Sequence, residues 1–268
     1  MKPFLKWAGG KRWLLSNGYF ADTSFSGRYI EPFLGGGAVF FGTLPRKAVL
    51  SDINSRLIEL YVVIRDQYQE LEVLLEKHAV SHSKEYYYAL RQETPRSTVG
   101  RAAQFLYLNR TCWNGLYRVN LKGKFNVPIG TKDTVIFDDD DFGGWSAVLQ
   151  GAEILSRDFE VALNDAQEGD FVFVDPPYTV RHNVNGFAKY NEHIFSWEDQ
   201  LRLRRALERA VARGASFVMT NADHASIRRL YKGFGQHSKL RRHSVIAADA
   251  AYRSSCTELL VTARPDVP

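Results

Sequence analysis

The sequence predicts an α/β fold, an open sheet of seven strands alternating with helices and broken by a helical insertion. Three observations predict it. Residues 171–178 read Phe-Val-Phe-Val-Asp-Pro-Pro-Tyr. Four β-branched or aromatic residues stopped by two prolines mark a short buried strand. Residues 29–41 read as a strand, a glycine-rich turn and the opening of a helix, the arrangement in which glycine lets a ligand approach the backbone. Between about 55 and 145 the strand–helix alternation stops, and apolar residues recur at three- and four-residue spacing instead.

Composition excludes several classes. Hydrophobic residues are 45% and charged residues 24% of the 268, so the chain is expected to be a soluble globular protein with a large core. No run of eighteen apolar residues occurs, and residues 1–13 hold no continuous apolar stretch. Neither a membrane span nor a signal peptide is expected. Cys112 and Cys256 stand far apart, which fits a reducing cytoplasm and gives no zinc spacing. The seven histidines are scattered with no His-Glu-x-x-His pair, so no metal is expected. Net charge is +5, with a pI near 9.1. Its distribution says more: from Arg91 to Lys132 there are eight Lys or Arg against one acid, Glu93. A local basic surface of this kind suits a polyanion.

In chain order, Lys6-Trp7-Ala8-Gly9-Gly10-Lys11 comes first. It lacks the full spacing of a phosphate loop. A short strand, Tyr29-Ile30-Glu31, leads into Pro32-Phe33-Leu34-Gly35-Gly36-Gly37, and residues 38–41 open a helix. A second strand, 48–50, ends in Ser51-Asp52. An acid at that strand end is placed to accept hydrogen bonds from a ribose, so an adenosine-containing cofactor is expected, either a dinucleotide or S-adenosylmethionine. Ile53, Leu57, Leu60, Ile64, Tyr68, Leu71 and Leu75 then give a helical face, and further helices are expected near 84–92 and 99–110.

The distal part of the insertion runs Asn109-Arg110-Thr111-Cys112-Trp113-Asn114-Gly115-Leu116-Tyr117-Arg118-Val119-Asn120. Lys122-Gly123-Lys124 reads as a hairpin tip and Phe125-Asn126-Val127-Pro128 as a return strand. Aromatic, amide and arginine side chains on a basic loop are suited to nucleic acid. Arg110, Asn114, Asn120 and Lys124 are candidate contacts on that ground. The aspartate run 138–141 is expected to be a solvated loop. Strand signals resume at 153–155, followed by Asp158-Phe159 and then the strand into Asp175. Residues 179–195 form a long polar segment and a lid candidate. Ser196 is placed to cap a helix to about Arg213, with Asp199 at its third position and Gly214 as its stop. That helix's arginines read as a wet face. Strands at 215–220, 241–247 and 257–263 complete the seven, and the link 248–256 reads as mobile.

The end of the 171–174 strand suggests a reaction. An exocyclic amino group on a flat heterocycle is a poor nucleophile, because its lone pair is delocalised into the ring. The Asp175 carboxylate and the Pro176 carbonyl are placed to accept its two N–H bonds and return density to nitrogen. Tyr178 is placed to stack on the ring. Alone, the tetrapeptide also reads as a strand ending in a Pro-Pro turn, with a solvated Asp and a half-buried Tyr.

Lys-Trp-Ala-Gly-Gly-Lys, Glu-Pro-Phe-Leu-Gly-Gly-Gly, Asn-Gly-Leu-Tyr-Arg-Val-Asn with Phe-Asn-Val-Pro, and Asp-Pro-Pro-Tyr follow one another in this order. In their identity, order and spacing the chain resembles the Dam-type DNA adenine-N6 methyltransferases, the D12 class of the alpha group, over residues 4 to about 263. The resemblance implies a Rossmann-like methyltransferase fold, a seven-stranded mixed sheet with one antiparallel strand and helices on both faces. It implies S-adenosyl-L-methionine as cofactor and a flipped-out adenine in duplex DNA, within GATC, as target. A catalytic domain is expected over 1–54 and 146–268, and a target-recognition domain over 55–145. By motif, Trp7, Lys11, Phe33, Gly35, Gly37, Asp52, Asp158, Phe159 and Asp175 line the cofactor site. Asp175, Pro176, Pro177 and Tyr178 hold the adenine. Trp113 matches the aromatic that enters the duplex, a position that is often Tyr in the family. Arg118 matches the arginine that reads a guanine, and Leu116 and Pro128 match contacts to neighbouring bases.

The expected partners are double-stranded DNA and, in a restriction-modification system, a paired restriction endonuclease. A cytoplasmic monomer that needs no metal and no membrane is expected. Asp-Pro-Pro-Tyr also occurs in RNA adenine-N6 methyltransferases, an alternative that the Asn-Gly-Leu-Tyr-Arg segment argues against. A basic nucleic-acid-binding module without catalysis is the other alternative, and it predicts no binding of the methyl donor.

Overall fold

The strands expected from apolar runs form one mixed sheet in the computed structural model, which describes residues 1–16, 18, 25–120, 122–180, 195–243 and 255–265. They are β1 (Tyr29–Glu31), β2 (Ala48–Asp52), β3 (Ala152–Ser156), β4 (Phe171–Val174), β5 (Ser216–Ala222), β6 (Gln236–His243) and β7 (Ser255–Ala263). Their order is β3-β2-β1-β4-β5-β7-β6. Pairs β2–β3, β1–β4 and β4–β5 are parallel, and β7 runs antiparallel to both β5 and β6. The α/β class and the seven strands are as the sequence predicts, and the reversed strand is as the resemblance implies. Parallel strands are shielded on both faces, so they are written as unbroken apolar runs. All four residues of β4 are buried.

Two compact units divide the chain, Met1–Thr23 with Leu34–Ser156, and Ser24–Phe33 with Arg157–Pro268. In the first, β2 pairs with β3 from Ala48↔Ala152 to Asp52↔Ser156. Helix α1 (Arg12–Ser16) and the single turn α2 (Phe40–Thr43) precede β2. Asn54 caps α3 (Ser55–Val80), its side chain accepting from the Leu57 N–H. The buried residues Leu57, Leu60, Ile64, Leu71 and Leu75 follow the periodicity read from the sequence, and Tyr68 is half-buried. Ile53, included in that periodicity, lies before the cap and is exposed. Helices α4 (Lys84–Gln92) and α5 (Thr98–Thr111) start at Ser83 and Ser97, whose hydroxyls accept from Tyr86 N and Gly100 N. Helix α3 packs on α5 and on α6 (Phe142–Leu149).

The second unit holds β1, β4, β5, β7 and β6 with α7 (Phe159–Asn164), α8 (Trp197–Ala212) and α9 (Ala225–Leu230). Ser196 and Asp199 make the expected capping box of α8. Strand β6 begins at Gln236, five residues before the expected start. Its first residues, Gln236, His237, Ser238 and Lys239, are exposed and polar, and Leu240 after them is buried. A polar strand at the end of a sheet gives no hydrophobic alternation to read. The return strand expected at 125–128 is reduced to the isolated bridges Val119↔Phe125 and Cys112↔Ile129. The lid expected at 179–195 lies outside the described residues over 181–194, as do residues 244–254, which hold the end of the strand expected at 241–247 and most of the 248–256 link.

Candidate active site

In the first unit the glycine turn is held by the acid that follows it. Gly35 and Gly37 have φ of 47° and 62°, the left-handed region that glycine occupies at no steric cost. A Cβ on Gly35 would lie 2.8 Å from the Trp7 indole, and one on Gly37 2.8 Å from the Tyr61 hydroxyl. Asp52 Oδ2 accepts from Gly35 N at 3.0 Å, and its Oδ1 accepts from Asn54 N at 2.9 Å. The Tyr61 hydroxyl donates to Gly35 O at 3.1 Å. Burial raises the Asp52 carboxyl above the usual range, and the N–H groups of Asn54, Gly35 and Ile53 draw it part of the way back. Trp7 stacks on Tyr117 at 5.5 Å, and Tyr117 stacks on Phe105. Trp7, Gly35, Gly37 and Asp52 are therefore brought together. Lys11 is buried and its Nζ donates to Gly9 O at 2.8 Å. Tyr61 is absent from the sequence reading. A tyrosine on the apolar face of a helix, whose hydroxyl needs a partner, is the signal that points to it.

In the second unit Asp175 stands at the carboxyl end of β4, where Pro176 is buried and Pro177 half-buried. Asp175 Oδ1 accepts from the Thr220 hydroxyl at 2.7 Å. The Tyr178 hydroxyl donates to Glu258 Oε2 at 2.9 Å. Burial, with the charges of Asp175 and Glu258 added, holds the Tyr178 phenol well above its usual range. Phe159 stacks on Phe33 at 5.2 Å, and Phe195 meets Phe33 edge-on at 5.5 Å. Asp158 caps α7: its Oδ1 accepts from Glu160 N at 2.9 Å and from Arg202 Nη2 at 2.8 Å. Arg202 also pairs with Glu160 and Asp199 and covers the Phe159 ring. The arginines of α8, read as a wet face, thus include one that fixes Asp158. Thr220 and Glu258 also escaped the sequence reading. Each sits in an apolar strand run, where a polar residue is the only local signal.

The basic segment of the first unit divides sharply. Trp113 begins a 3-10 turn, Trp113–Gly115, and its backbone N donates to Pro128 O at 2.9 Å. The residue is 49% exposed. Asn114 and Gly115 both have positive φ, and a Cβ on Gly115 would lie 2.6 Å from Lys6 Cβ. Asn114, Arg118, Asn120, Lys124 and Pro128 are exposed, and Leu116 is half-buried. Arg118 Nε donates to Asn126 Oδ1 at 2.8 Å. Asn120 Oδ1 accepts from Lys122 N and Lys124 N, so its amide shapes the turn.

Arg110, expected among the DNA contacts, is instead 1% exposed. Its guanidinium pairs with Asp140, donates to Val135 O and Phe4 O, and covers the Phe137 ring. A buried guanidinium needs such partners, and Asp140 supplies the charge. Asp140 is itself buried at its side chain, and Asp141 caps α6. The aspartate run is therefore not merely a solvated loop. Arg91 bonds Val127 O and Arg101 pairs with Glu59. Arg96, Arg118, Lys122, Lys124 and Lys132 remain exposed from the basic window.

Among the described residues no cluster of three or more His, Cys, Asp or Glu is arranged for a metal ion. No described helix is long and apolar enough to cross a membrane. Residues 7–245 match the family model described as D12 class N6 adenine-specific DNA methyltransferase. The chain is 39% identical to the Type II methyltransferase M1.LlaDCHI of Lactococcus lactis subsp. cremoris, an alignment covering 98% of this chain and 95% of the relative. It is 34% identical to the Type II methyltransferase M.MjaIII of Methanocaldococcus jannaschii, covering 97% and 98%. It is 33% identical to the DNA adenine methylase of Salmonella typhi, covering 99% and 96%. Such a family requires a methyl donor and a DNA substrate, and on these matches the chain belongs to the D12 class of N6 adenine-specific DNA methyltransferases.

Proposed function

We propose that the chain transfers a methyl group from S-adenosyl-L-methionine to the N6 amino group of an adenine flipped out of duplex DNA, within GATC. The observation that carries this reading is the end of β4, where Asp175, Pro176, Pro177 and Tyr178 follow the strand and Thr220 holds the Asp175 carboxylate. A paired adenine has its amino group engaged in the duplex, so the nucleotide leaves the stack at a cost of a few kcal/mol. The Asp175 carboxylate and Pro176 carbonyl then accept the two N–H bonds, and Tyr178 stacks on the ring. S-adenosyl-L-methionine, when bound, supplies an electrophilic methyl group. The first unit's residues fit such a donor: Asp52 is an acceptor at a strand end beside a turn whose glycines are held close to Trp7. Trp7, Lys11, Gly35, Gly37 and Asp52 are assigned to it on this ground, and Phe33, Asp158 and Phe159 by their motifs.

We assign target recognition to 55–145 and catalysis to 1–54 with 146–268. Trp113, exposed on its turn, restacks the gap left by the flipped base. Arg118 forks onto a guanine, worth roughly 1–3 kcal/mol of discrimination. Leu116 and Pro128 meet neighbouring bases, and Asn114, Asn120 and Lys124 support the contact. The names of the relatives include DNA adenine methylases, which supports adenine in DNA as the target, and Type II methyltransferases, which supports a paired endonuclease; GATC rests on the family match of Leu116, Arg118 and Pro128. A monomer acting in the cytoplasm completes the proposal. Sequencing of modified bases in DNA from cells expressing the chain tests it. N6-methyladenine is expected at GATC on both strands. Methylation at another site removes GATC alone, and unmodified DNA overturns the reaction.

A further inference from the structure

We infer that Thr220 and Glu258, both outside the Asp-Pro-Pro-Tyr segment, are positioning residues: Thr220 fixes the Asp175 carboxylate and Glu258 fixes the Tyr178 ring. The inference rests on the reading that Asp175 and Tyr178 hold the target adenine.

The sheet register brings the four side chains together. Val174 pairs with Met219, so Asp175 leaves β4 at the level of Thr220. In the antiparallel β5–β7 pair Thr220 faces Leu260 and Ala222 faces Glu258. Alternate residues of a strand share a face, so Thr220 and Glu258 are diagonal neighbours on one side of the pair. The Thr220 hydroxyl donates to Asp175 Oδ1 at 2.7 Å, and the Tyr178 hydroxyl donates to Glu258 Oε2 at 2.9 Å. Two hydrogen bonds, from Thr220 to Asp175 and from Tyr178 to Glu258, thus stand beside the end of β4.

Packing alone does not call for these residue types. Thr220 is fully buried and Glu258 is 4% exposed, in strands whose other buried residues are mostly apolar. Burying a carboxylate is costly unless hydrogen bonds hold it, and leucine would suit a strand core better. The bond has consequences for the reaction. A tyrosine ring with its hydroxyl anchored cannot swing about its side-chain torsions, which sets the plane on which a base stacks. A phenol that donates to a carboxylate also has an electron-rich ring. Positive charge grows on the adenine as the methyl group arrives, and an electron-rich face favours it. The phenol stays protonated at working pH, since burial and the flanking carboxylates raise it.

The test uses the full-length chain with duplex DNA and S-adenosyl-L-methionine. Glu258→Ala should lower kcat by about a hundredfold, the scale of a misplacement near 1 Å, with KM for DNA close to wild type. Glu258→Gln, which keeps an oxygen acceptor, should recover most of the rate. Tyr178→Phe removes the hydroxyl through which Glu258 acts, so adding Glu258→Ala to it should slow the enzyme no further. That double variant also leaves neither partner unpaired, and it decides the matter if Glu258→Ala alone does not fold. Thr220→Val should lower kcat, and Thr220→Ser, which keeps the hydroxyl, should restore it. Wild-type kcat in a folded Glu258→Ala protein, or independent multiplicative effects in the double variant, overturns the role of Glu258. Equal rates for Thr220→Val and Thr220→Ser overturn that of Thr220. Wild-type kcat in Tyr178→Ala would instead remove Tyr178 as the platform for the base.

Discussion

Arg110 and Arg118 stand in the same basic segment and are put to opposite uses. Arg110 is buried against Asp140 and two carbonyls, whereas Arg118 is exposed and bonded to Asn126. Removing one partner of a buried ion pair leaves the other charge unsatisfied, at roughly 3–5 kcal/mol. Arg110→Ala should therefore lower the urea midpoint of unfolding strongly, and a stable Arg110→Ala protein would show the pair to be dispensable. Arg118→Ala should unfold like wild type and instead relax sequence preference at one position of the site. If Arg118 only clamps a phosphate, binding to all sequences weakens alike and the salt slope falls by about one unit. At this scale the sequence is legible in where it places Asp175 and Tyr178, at a strand end that the apolar run and the prolines announce. It is not legible where burial reverses the meaning of a charge. Arg110 reads as one more cation on a basic loop until Asp140, thirty residues on, is seen to meet it. Glu258 is hidden in the same way, because its partner Tyr178 lies eighty residues before it.

Among the elements, the strand–turn–helix at Gly35 shows how a site is held by more than its motif. Asp52 is expected to meet the donor's ribose, yet it already accepts from Gly35 N and Asn54 N. Its loss therefore acts twice, by removing an acceptor and by freeing the turn. Asp52→Ala should weaken S-adenosyl-L-methionine binding in calorimetry while DNA binding persists. Asp52→Asn should weaken it less, because one oxygen still accepts a backbone N–H. Unchanged donor affinity in Asp52→Ala would exclude Asp52 from the site. Punctuation made the elements legible. Serines at 83, 97 and 196 mark the starts of α4, α5 and α8, since each satisfies an N–H that the first helical turn leaves open. Helix α2 is a single turn because Leu44, in the left-handed region, closes it. Strand β6 has no such marks, since an edge strand needs no apolar face on its exposed side. The segment from Cys112 to Ile129 is held by two bridges and by Asn120, contacts that periodicity does not report.

For the molecule as a whole, the α/β class is legible because parallel strands carry continuous apolar runs, and the stability of the chain against acid follows from where its carboxylates lie. Asp170 is buried at the start of β4. It accepts from Arg28 N at 2.7 Å, from Arg28 Nη2 at 2.7 Å and from Gln167 N at 3.0 Å. Burial alone would raise this carboxyl, but the bonds and charge of Arg28 and the Gln167 N–H outweigh it and hold the group below its usual range. A carboxyl lowered in the folded state stabilises the fold above its unfolded value, about 3.9, and loses that contribution as pH falls through the folded value. Asp52 has the opposite sign. Its carboxyl is raised by burial, so its contribution is present below the unfolded value and is lost as pH rises through the folded one. Asp170→Asn should therefore be less stable than wild type at pH 7, by roughly 1.5–3 kcal/mol for bonds to a charged group. The gap between the two proteins should shrink as pH drops below about 4, where the unfolded chain takes up a proton that the folded carboxyl accepts only at lower pH. Urea unfolding of both proteins from pH 3 to pH 7 measures it. A gap that stays constant across that range would mean that Asp170 contributes its shape and hydrogen bonds but not its charge.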